Sequence, residues 1–499
     1  MAEVVRKALE TPLKKLVEKS SEIDVLIIGS GTAGITAAIA LAEKNTGLNI
    51  ALLEAGPLTL LEHVGSSSVR LNARVVNQLQ DQIVYKTLWG GNEKGEQPNT
   101  NGWSAVGGRT LLWGGYIPRF IPEDFSDWPF NYADFEPYYK RAEDLICAAP
   151  REGVPAFVRT KGQDKFMKEL KKHGFSFQES PLAIDSSCSE NGNLPVGYDS
   201  SIARLIRSES LVTFGEKPGI SLTSEVEVIS LEKKGDRITA VHVVDRKTDA
   251  SYVLSPKKVV IACGGAQSVR LVLASKIEEN EDILGKYIND HLFARGFLKR
   301  RKGIWENLMH LYSPPTSQKL FHCQICGPLT MEKVEFLRNN WTALPTKWLE
   351  WNSPGDCLEY QFFGIATTEK ENRLELIENR DSPFGRLPSC KVIYKRSQRD
   401  LAILDEMKKN IENLSLAIDA ELINWEVLPP GTALHDIGGL RMGKDPETSI
   451  VNPSGQFWRI QNLYVADASS WPSQGSANPY LTITAWALKL ADEMRFSNG

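Results

Sequence analysis

The stretch Ile23–Gly34, IDVLIIGSGTAG, constrains this chain more than any other: a short apolar run enters a glycine-rich turn, which opens into the Ala-rich helical run ITAAIALAEK. This is the opening of a βαβ unit. The next strand, Asn49 to Leu53, ends in Glu54, near the ~20-residue spacing at which an acid meets the ribose of a bound dinucleotide. Gly29, Gly31 and Gly34 let the backbone approach a pyrophosphate at a helix N-terminus, where unpaired N–H groups favour negative charge. Thr32 and Ala33 inside the turn, and Ala55 after the acid, belong to the same expected cofactor set. A turn of this shape also occurs without a ligand; the flanking strand, helix and acid favour dinucleotide binding.

A nicotinamide enzyme would complete a doubly wound sheet over the next hundred or so residues. Here Asn99 to Trp128 reads instead as loop, rich in Gly, Trp and Pro, with a helix starting near Tyr132. Strand signals return at Ile220 to Leu231, Ile238 to Val244 and Lys258 to Cys263, the last followed by a glycine turn and a helix. Residues 301–424 show short alternating segments, then the helical run Gln398 to Ala420. The C-terminal part returns to strand, turn and helix. The expected fold is thus α/β (α+β overall). A Rossmann-like nucleotide-binding domain comprises 22–150, 201–300 and 425–499; an inserted antiparallel-sheet cap comprises 151–200 and 301–424. Residues 1–21, with Val5, Leu9, Leu13 and Leu16 at helical spacing, read as an amphipathic segment bent at Pro12 and docked on the body.

The 58 Lys+Arg against 62 Asp+Glu give a net charge of −4, without the basic face of a nucleic-acid binder. No apolar run reaches the roughly 20 residues that span a bilayer, and the charged N-terminus lacks the apolar core of a secretory signal. Seven cysteines at irregular spacing do not suggest a disulfide framework, so a cytoplasmic location is expected. Cys323 and Cys326 form a lone CxxC beside His322; without a second pair they read as ordinary thiols rather than metal ligands.

The chain resembles the glucose-methanol-choline (GMC) family of FAD-dependent oxidoreductases from about Ile23 to Met494, most weakly through 150–200 and 301–350. The carriers appear in family order: GSGTAG with Glu54, SAVGGRTLLWGGYIPRF, ACGGAQSVRLVLAS, NDH at 289–291, LHDIGGLRMG, and NLYVADASSWPSQGSANPYLTITAWALKLAD. The second of these, with the EDFSDWPF segment after it, is most similar to pyranose oxidases and glycoside 3-oxidases. The resemblance implies FAD, with Gly107, Gly108, Arg109, Leu112, Trp113 and Gly114 shaping the wall beside the flavin. In pyranose oxidases a histidine before the tryptophan of this loop carries the flavin covalently. Leu112 stands there and has no nucleophile, which implies noncovalent FAD and a shift towards the glycoside 3-oxidases. The resemblance further implies that Val226 reads adenine through its main chain, and that Asp467 contacts the ribityl or pyrophosphate through main chain or side chain. It also makes His291 of NDH structural.

Oxidation of an alcohol removes the hydroxyl proton and transfers the carbon's hydrogen as hydride, so the site needs a base; histidine titrates in the useful range. His435, in an LHDIGG turn, is the expected base, and Asn478 in GSANP its hydrogen-bonding partner. The other reading of Asn478 is an N-cap for the helix opened by Pro479, whose dipole could face the flavin. Gln361 and Glu359 alternate on one face of LEYQFF and could line a polar substrate pocket.

The expected activity is FAD-dependent oxidation of a secondary hydroxyl of a sugar or glycoside to a ketone, with oxygen or another acceptor completing the cycle. A sterol or terpenoid alcohol is the alternative substrate, and an apolar pocket around Phe362 and Trp348 would favour it. A non-redox FAD-containing lyase is a further alternative. Specificity is expected within 301–350, with Trp305, Trp341 and Trp348. The sequence does not choose between oxidase and dehydrogenase, and it carries no sign of oligomeric state.

Overall fold

The computed structural model describes residues 2–64, 84–89, 97–151, 153–156, 160–185, 197–278, 280–305, 309–329, 354–382 and 385–496. Cys188, Trp341 and Trp348 lie outside these residues.

The glycine turn is the hub of a five-stranded parallel sheet. Its order is Leu463–Val465, Lys258–Ile261, Val25–Ile28, Asn49–Leu53, Gly219–Thr223, so strands far apart in sequence are neighbours. Val25–Ile28 is buried at every residue, as expected of an inner parallel strand covered on both faces. The helix Thr32–Lys44 packs beside the C-terminal helix Tyr480–Glu493, and their many alanines permit close approach to the sheet. Two glycines are required here. Gly29 has φ +104°, and a Cβ there would lie 2.3 Å from the Ala262 carbonyl oxygen; a Cβ on Gly34 would lie 1.9 Å from the Gly29 carbonyl oxygen.

The N-terminal segment forms two helices, Ala2–Leu9 and Leu13–Glu18, broken at Pro12 as its sequence implies. Between them Thr11 donates its N–H to the Leu222 carbonyl (2.7 Å) and accepts from the Thr223 hydroxyl (2.8 Å). The segment therefore covers the outer edge of the parallel sheet, which would otherwise present unpaired backbone groups.

The second large sheet is antiparallel. Along it run Ala420–Leu422, Leu292–Arg300, Cys357–Gly364, Phe321–Gly327, Met309–Ser313 and Gln178–Glu179, with Glu426–Val427 also on Leu292–Arg300. The helix Gln398–Ala417 starts at a Ser397/Asp400 capping box and buries Ile403, Leu404, Met407, Ile411 and Leu414 in the core of this sheet.

Two groups of residues pack across the expected segment bounds, and one loop reading is corrected. Leu292–Arg300, grouped by sequence with the nucleotide-binding segments, is a central strand of the antiparallel sheet. Leu374, Leu387, Cys390, Val392 and Tyr394, grouped with the cap, belong to the core of the parallel sheet. Short alternating strands look alike whichever sheet receives them, so their partners had to come from tertiary pairing. Part of the segment read as loop is the strand Gln97–Trp103, paired with Val84–Trp89. Among the described residues no helix is long and apolar enough to cross a membrane.

Candidate active site

A cavity of about 630 Å³ runs from the glycine turn, at the carboxyl ends of the parallel strands, to the antiparallel sheet. This is the crevice in which open α/β sheets bind their ligands. Gly29, Gly31, Thr32, Ala33, Glu54 and Ala55 line one end. The helix Thr32–Lys44 begins there at Gly31 without a side-chain cap, so its first N–H groups face the cavity, and a Cβ on Gly31 would meet nothing within 4 Å. This chemistry fits a pyrophosphate.

Glu54 accepts from the Ser30 N–H (3.1 Å) and hydroxyl (2.7 Å) through one oxygen and from the Gly56 N–H (2.9 Å) through the other. Burial pushes its carboxyl above the ordinary range. With about four acceptor sites per carboxylate, one stays available to a ribose hydroxyl. Ser30, missed by the sequence reading, is what orients this acid.

The middle of the cavity is the loop after Trp103. Gly108 stacks on Gly31, where a Cβ would sit 3.4 Å from the Gly31 Cα; Gly107 and Gly108 have φ +96° and +52°. Leu112, Trp113 and Gly114 line the wall. The Trp113 ring stacks on Tyr480 at 3.9 Å, and its N–H donates to the Asp199 carbonyl (2.9 Å). Arg109 donates to the Leu434 carbonyl (2.5 Å) and to Asp436 (2.8 Å), gripping the residues on either side of His435. The other oxygen of Asp436 accepts from Ala266 N–H (2.8 Å), at the start of the helix Gly265–Ser275. His435 is thus held from both flanks by a loop more than three hundred residues earlier.

Two further expected cofactor residues, Val226 and Asp467, line the cavity with part of their polar groups already engaged. The Val226 N–H donates to the Glu54 carbonyl (2.9 Å), so although Val226 lines the cavity it has no free N–H with which to read a base. The Asp467 carboxylate is buried and takes four hydrogen bonds, from the N–H of Gly264 and Ser469 and the hydroxyls of Ser268 and Ser469. That side chain shapes the Gly264 turn.

At the far end stand His435, Asn478 and Pro479. The helix Tyr480–Glu493 has Pro479 as its N-cap residue and no side-chain cap, so the capping alternative for Asn478 is not realised. Instead the Asn478 side-chain oxygen accepts from the Gln324 amide at 2.6 Å. The same Gln324 nitrogen meets His322 Nε2 at 2.9 Å. Both Gln324 hydrogens are then engaged, and the Asn478 amide is fixed with its NH₂ side as the donor that remains. His435 Nδ1 lies 2.8 Å from His291 Nδ1, and its main-chain N–H donates to Asp290 (3.0 Å). Burial, with His291, Arg109 and His322 nearby, holds His435 well below the ordinary histidine range, so its ring is neutral near pH 7.

The wall opposite comes from the antiparallel sheet. Gln324 pairs with Gln361 and Cys326 with Glu359 across adjacent strands, and all four line the cavity. Gln361 donates to Glu359 at 2.8 Å. Period two also explains HCQIC: His322, Gln324 and Cys326 share one face while Cys323 enters the core, so the two thiols of the CxxC point opposite ways. Among the described residues no group of three or more His, Cys, Asp or Glu is placed to hold a metal ion. Phe362 is fully buried in the core of the antiparallel sheet; Phe363, stacked on Phe293 at 4.6 Å, is the aromatic neighbour of His435. Trp305 is likewise a core residue, packed edge-on to Phe166.

The chain is 27% identical to a C-glycoside 3-oxidase of Arthrobacter globiformis over 95% of both chains. It is 24% identical to a 2-methyl-1,2-propanediol dehydrogenase of Mycolicibacterium austroafricanum over 97% of both, and 26% identical to a paromamine 6'-oxidase of Streptomyces fradiae over 94% of this chain and 90% of that one. Its fold matches pyridoxine 4-oxidase from Mesorbium loti with a TM-score of 0.69 at 16% identity, over 94% of this chain and 98% of the other. Formate oxidase from Aspergillus oryzae, whose FAD modification has been studied, matches with a TM-score of 0.70 at 16% identity, over 95% and 98%. The N-terminal GMC oxidoreductase domain matches residues 23–293 and the C-terminal one residues 369–487: the chain belongs to the GMC oxidoreductase family.

Proposed function

We propose that the protein oxidises a secondary ring hydroxyl of a sugar or glycoside to a ketone, with noncovalently held FAD and with His435 as the base. The observation that carries this reading is a single cavity with an anion-binding glycine turn at one end and, at the other, a neutral histidine beside an asparagine fixed as a donor. Gly29, Gly31 and Gly34 and the helix after them hold the pyrophosphate, Glu54 the ribose, and Gly107 to Gly114 with Asp467 and Pro479 the remainder of the cofactor. When bound, FAD supplies the acceptor for the hydride lost by the carbinol carbon. His435 takes the hydroxyl proton, and the Asn478 amide donates to the substrate oxygen as it gains charge. Oxygen or another acceptor completes the cycle, in the cytoplasm.

A sugar is favoured over a sterol by the substrate wall. Gln324, Gln361, Glu359 and Cys326 present polar groups there, and a buried polar group left unpaired by an apolar substrate costs about 1–3 kcal/mol. The C-glycoside 3-oxidase and paromamine oxidase among the relatives support the same substrate class. The test is an anaerobic titration of the flavin-loaded protein with monosaccharides, O- and C-glycosides and one sterol, followed by flavin absorbance. Bleaching by a sugar or glycoside is expected, and readmitted air then separates oxidase from dehydrogenase. Bleaching by the sterol alone overturns the substrate class; no bleaching by any of them, with dithionite still effective, overturns the redox reading in favour of a lyase-like role. His435→Ala is expected to slow reduction roughly 10²–10⁴-fold with FAD retained, and near-normal reduction excludes it as base.

A further inference from the structure

His291 was expected to be a structural part of NDH, yet its ring lies within hydrogen-bond distance of the His435 ring. Its Nε2 lies 2.6 Å from the Gly475 carbonyl oxygen, and its Nδ1 lies 2.8 Å from His435 Nδ1. A carbonyl only accepts, so His291 Nε2 carries a hydrogen. In neutral His291 the Nδ1 is therefore a bare acceptor. The hydrogen between the two Nδ1 atoms must then belong to His435.

We propose that His291 is a positioning residue that locks His435 in its Nδ1–H tautomer and so presents a bare Nε2 to the cavity. The inference rests on the reading of His435 as the base and supplies what that reading lacks, a reason why the cavity-facing nitrogen is the one able to take a proton. His435 Nε2 has no hydrogen-bond partner among the described residues, and the residue lines the cavity. The relay has a rigid support. One oxygen of Asp290 accepts from the main-chain N–H of both His291 (2.9 Å) and His435 (3.0 Å), which fixes the separation of the two residues. The His291 ring is 3% exposed and is also packed edge-on to Phe363. Burial depresses His291 to about 4, so it stays neutral over the working range. Among the described residues, the other titratable groups around the pair are Asp290, Asp436, Arg109 and His322. Of these, Asp290 faces the two main-chain N–H groups, and Asp436 pairs with Arg109, so neither competes for the Nδ1 hydrogen.

The chain thus holds two relays of opposite sense. Gly475 and His291 make His435 an acceptor; His322 and Gln324 make Asn478 a donor. A hydroxyl entering between them meets one of each, which is what removal of its proton and stabilisation of its oxygen require.

The test is spectroscopic and needs no substrate. In FAD-loaded protein labelled with [¹⁵N]histidine, two-bond proton–nitrogen correlations at neutral pH report which ring nitrogen is protonated, and the His435 signals are those absent from His435→Ala. The expected result is Nδ1–H with bare Nε2 in the wild type, the same form in His291→Asn, whose amide oxygen can still accept, and loss of its dominance in His291→Leu. A wild-type His435 that is Nε2–H or doubly protonated overturns the proposal without any variant having to fold. An unchanged tautomer in folded His291→Leu also overturns it. Failure of the base reading is separate: it would appear as normal flavin reduction by His435→Ala, whatever the tautomer.

Discussion

Replacing Gln324 by Glu tests the polarity of the donor side. Gln324 donates both amide hydrogens, at 2.6 Å to Asn478 Oδ1 and 2.9 Å to His322 Nε2. An ionised glutamate at the same place has nearly the same shape but can only accept. Asn478 must then turn its NH₂ towards position 324 and its oxygen towards the cavity, so the substrate oxygen meets an acceptor where it had a donor. The lost term is at least one ordinary hydrogen bond, about 0.5–1.5 kcal/mol. At most it equals an oxyanion donor acting on a developing charge, about 2.7–4 kcal/mol. At 1.36 kcal/mol per factor of ten, flavin reduction should slow between about twofold and a thousandfold. The apolar Gln324→Met frees Asn478 to sample both orientations instead of reversing it, and should lose less than Glu. The assay is stopped-flow anaerobic reduction by a sugar that bleaches the wild type, with FAD content and thermal midpoint measured alongside. Gln324→Glu reducing as fast as wild type, or Gln324→Met slower than Gln324→Glu with both folded, would refute the reasoning.

Three further outcomes are expected. Because the folded protein holds His435 below the ordinary histidine value of 6.5, and a base works only when unprotonated, kcat/KM should fall on the acid side with a midpoint below pH 6.5; a limb centred above that value would contradict the assignment. Gly34→Ala places a Cβ where the Gly29 carbonyl stands 1.9 Å away, so the helix must shift off the pyrophosphate turn; flavin per protein, read from absorbance, should drop strongly, and a full complement would refute the role given to this turn. Acid precipitation should leave all flavin in the supernatant, since Leu112 offers no bond-forming atom; colour retained in the pellet would show a covalent link from another residue.

The parts of the site that are local in sequence were legible there. The apolar strand, glycine turn and Ala-rich helix around Gly29–Gly34 leave few foldings, and His435 and Asn478 stood in turns whose flanking motifs already carried the family resemblance. The cap strand bearing Glu359 and Gln361 was legible to the level of which side chains share a face. Where the reading erred, the deciding partner was remote. Val226 was expected to offer a main-chain N–H that Glu54 in fact engages. Asp467 was expected to meet the cofactor through main chain or side chain; it lines the cavity, but its carboxylate is taken up in closing the Gly264 turn. Leu292–Arg300 was grouped by position with the nucleotide-binding segments, and its pairing with Cys357–Gly364 in the antiparallel sheet is set by a remote strand.

The sequence by itself therefore determined the strand, glycine turn and helix at Gly29–Gly34 and singled out His435 and Asn478 as candidates, because each is written in contacts between near neighbours or in short motifs. Only the tertiary structure decided how those side chains are polarised. His291 and His435 are 144 residues apart and Gln324 and Asn478 are 154 apart, and no periodicity links them. Which nitrogen carries a proton, and which way an amide faces, depends on a hydrogen bond to a second group, and it is the pairing of distant strands and loops that brings that group within 3 Å.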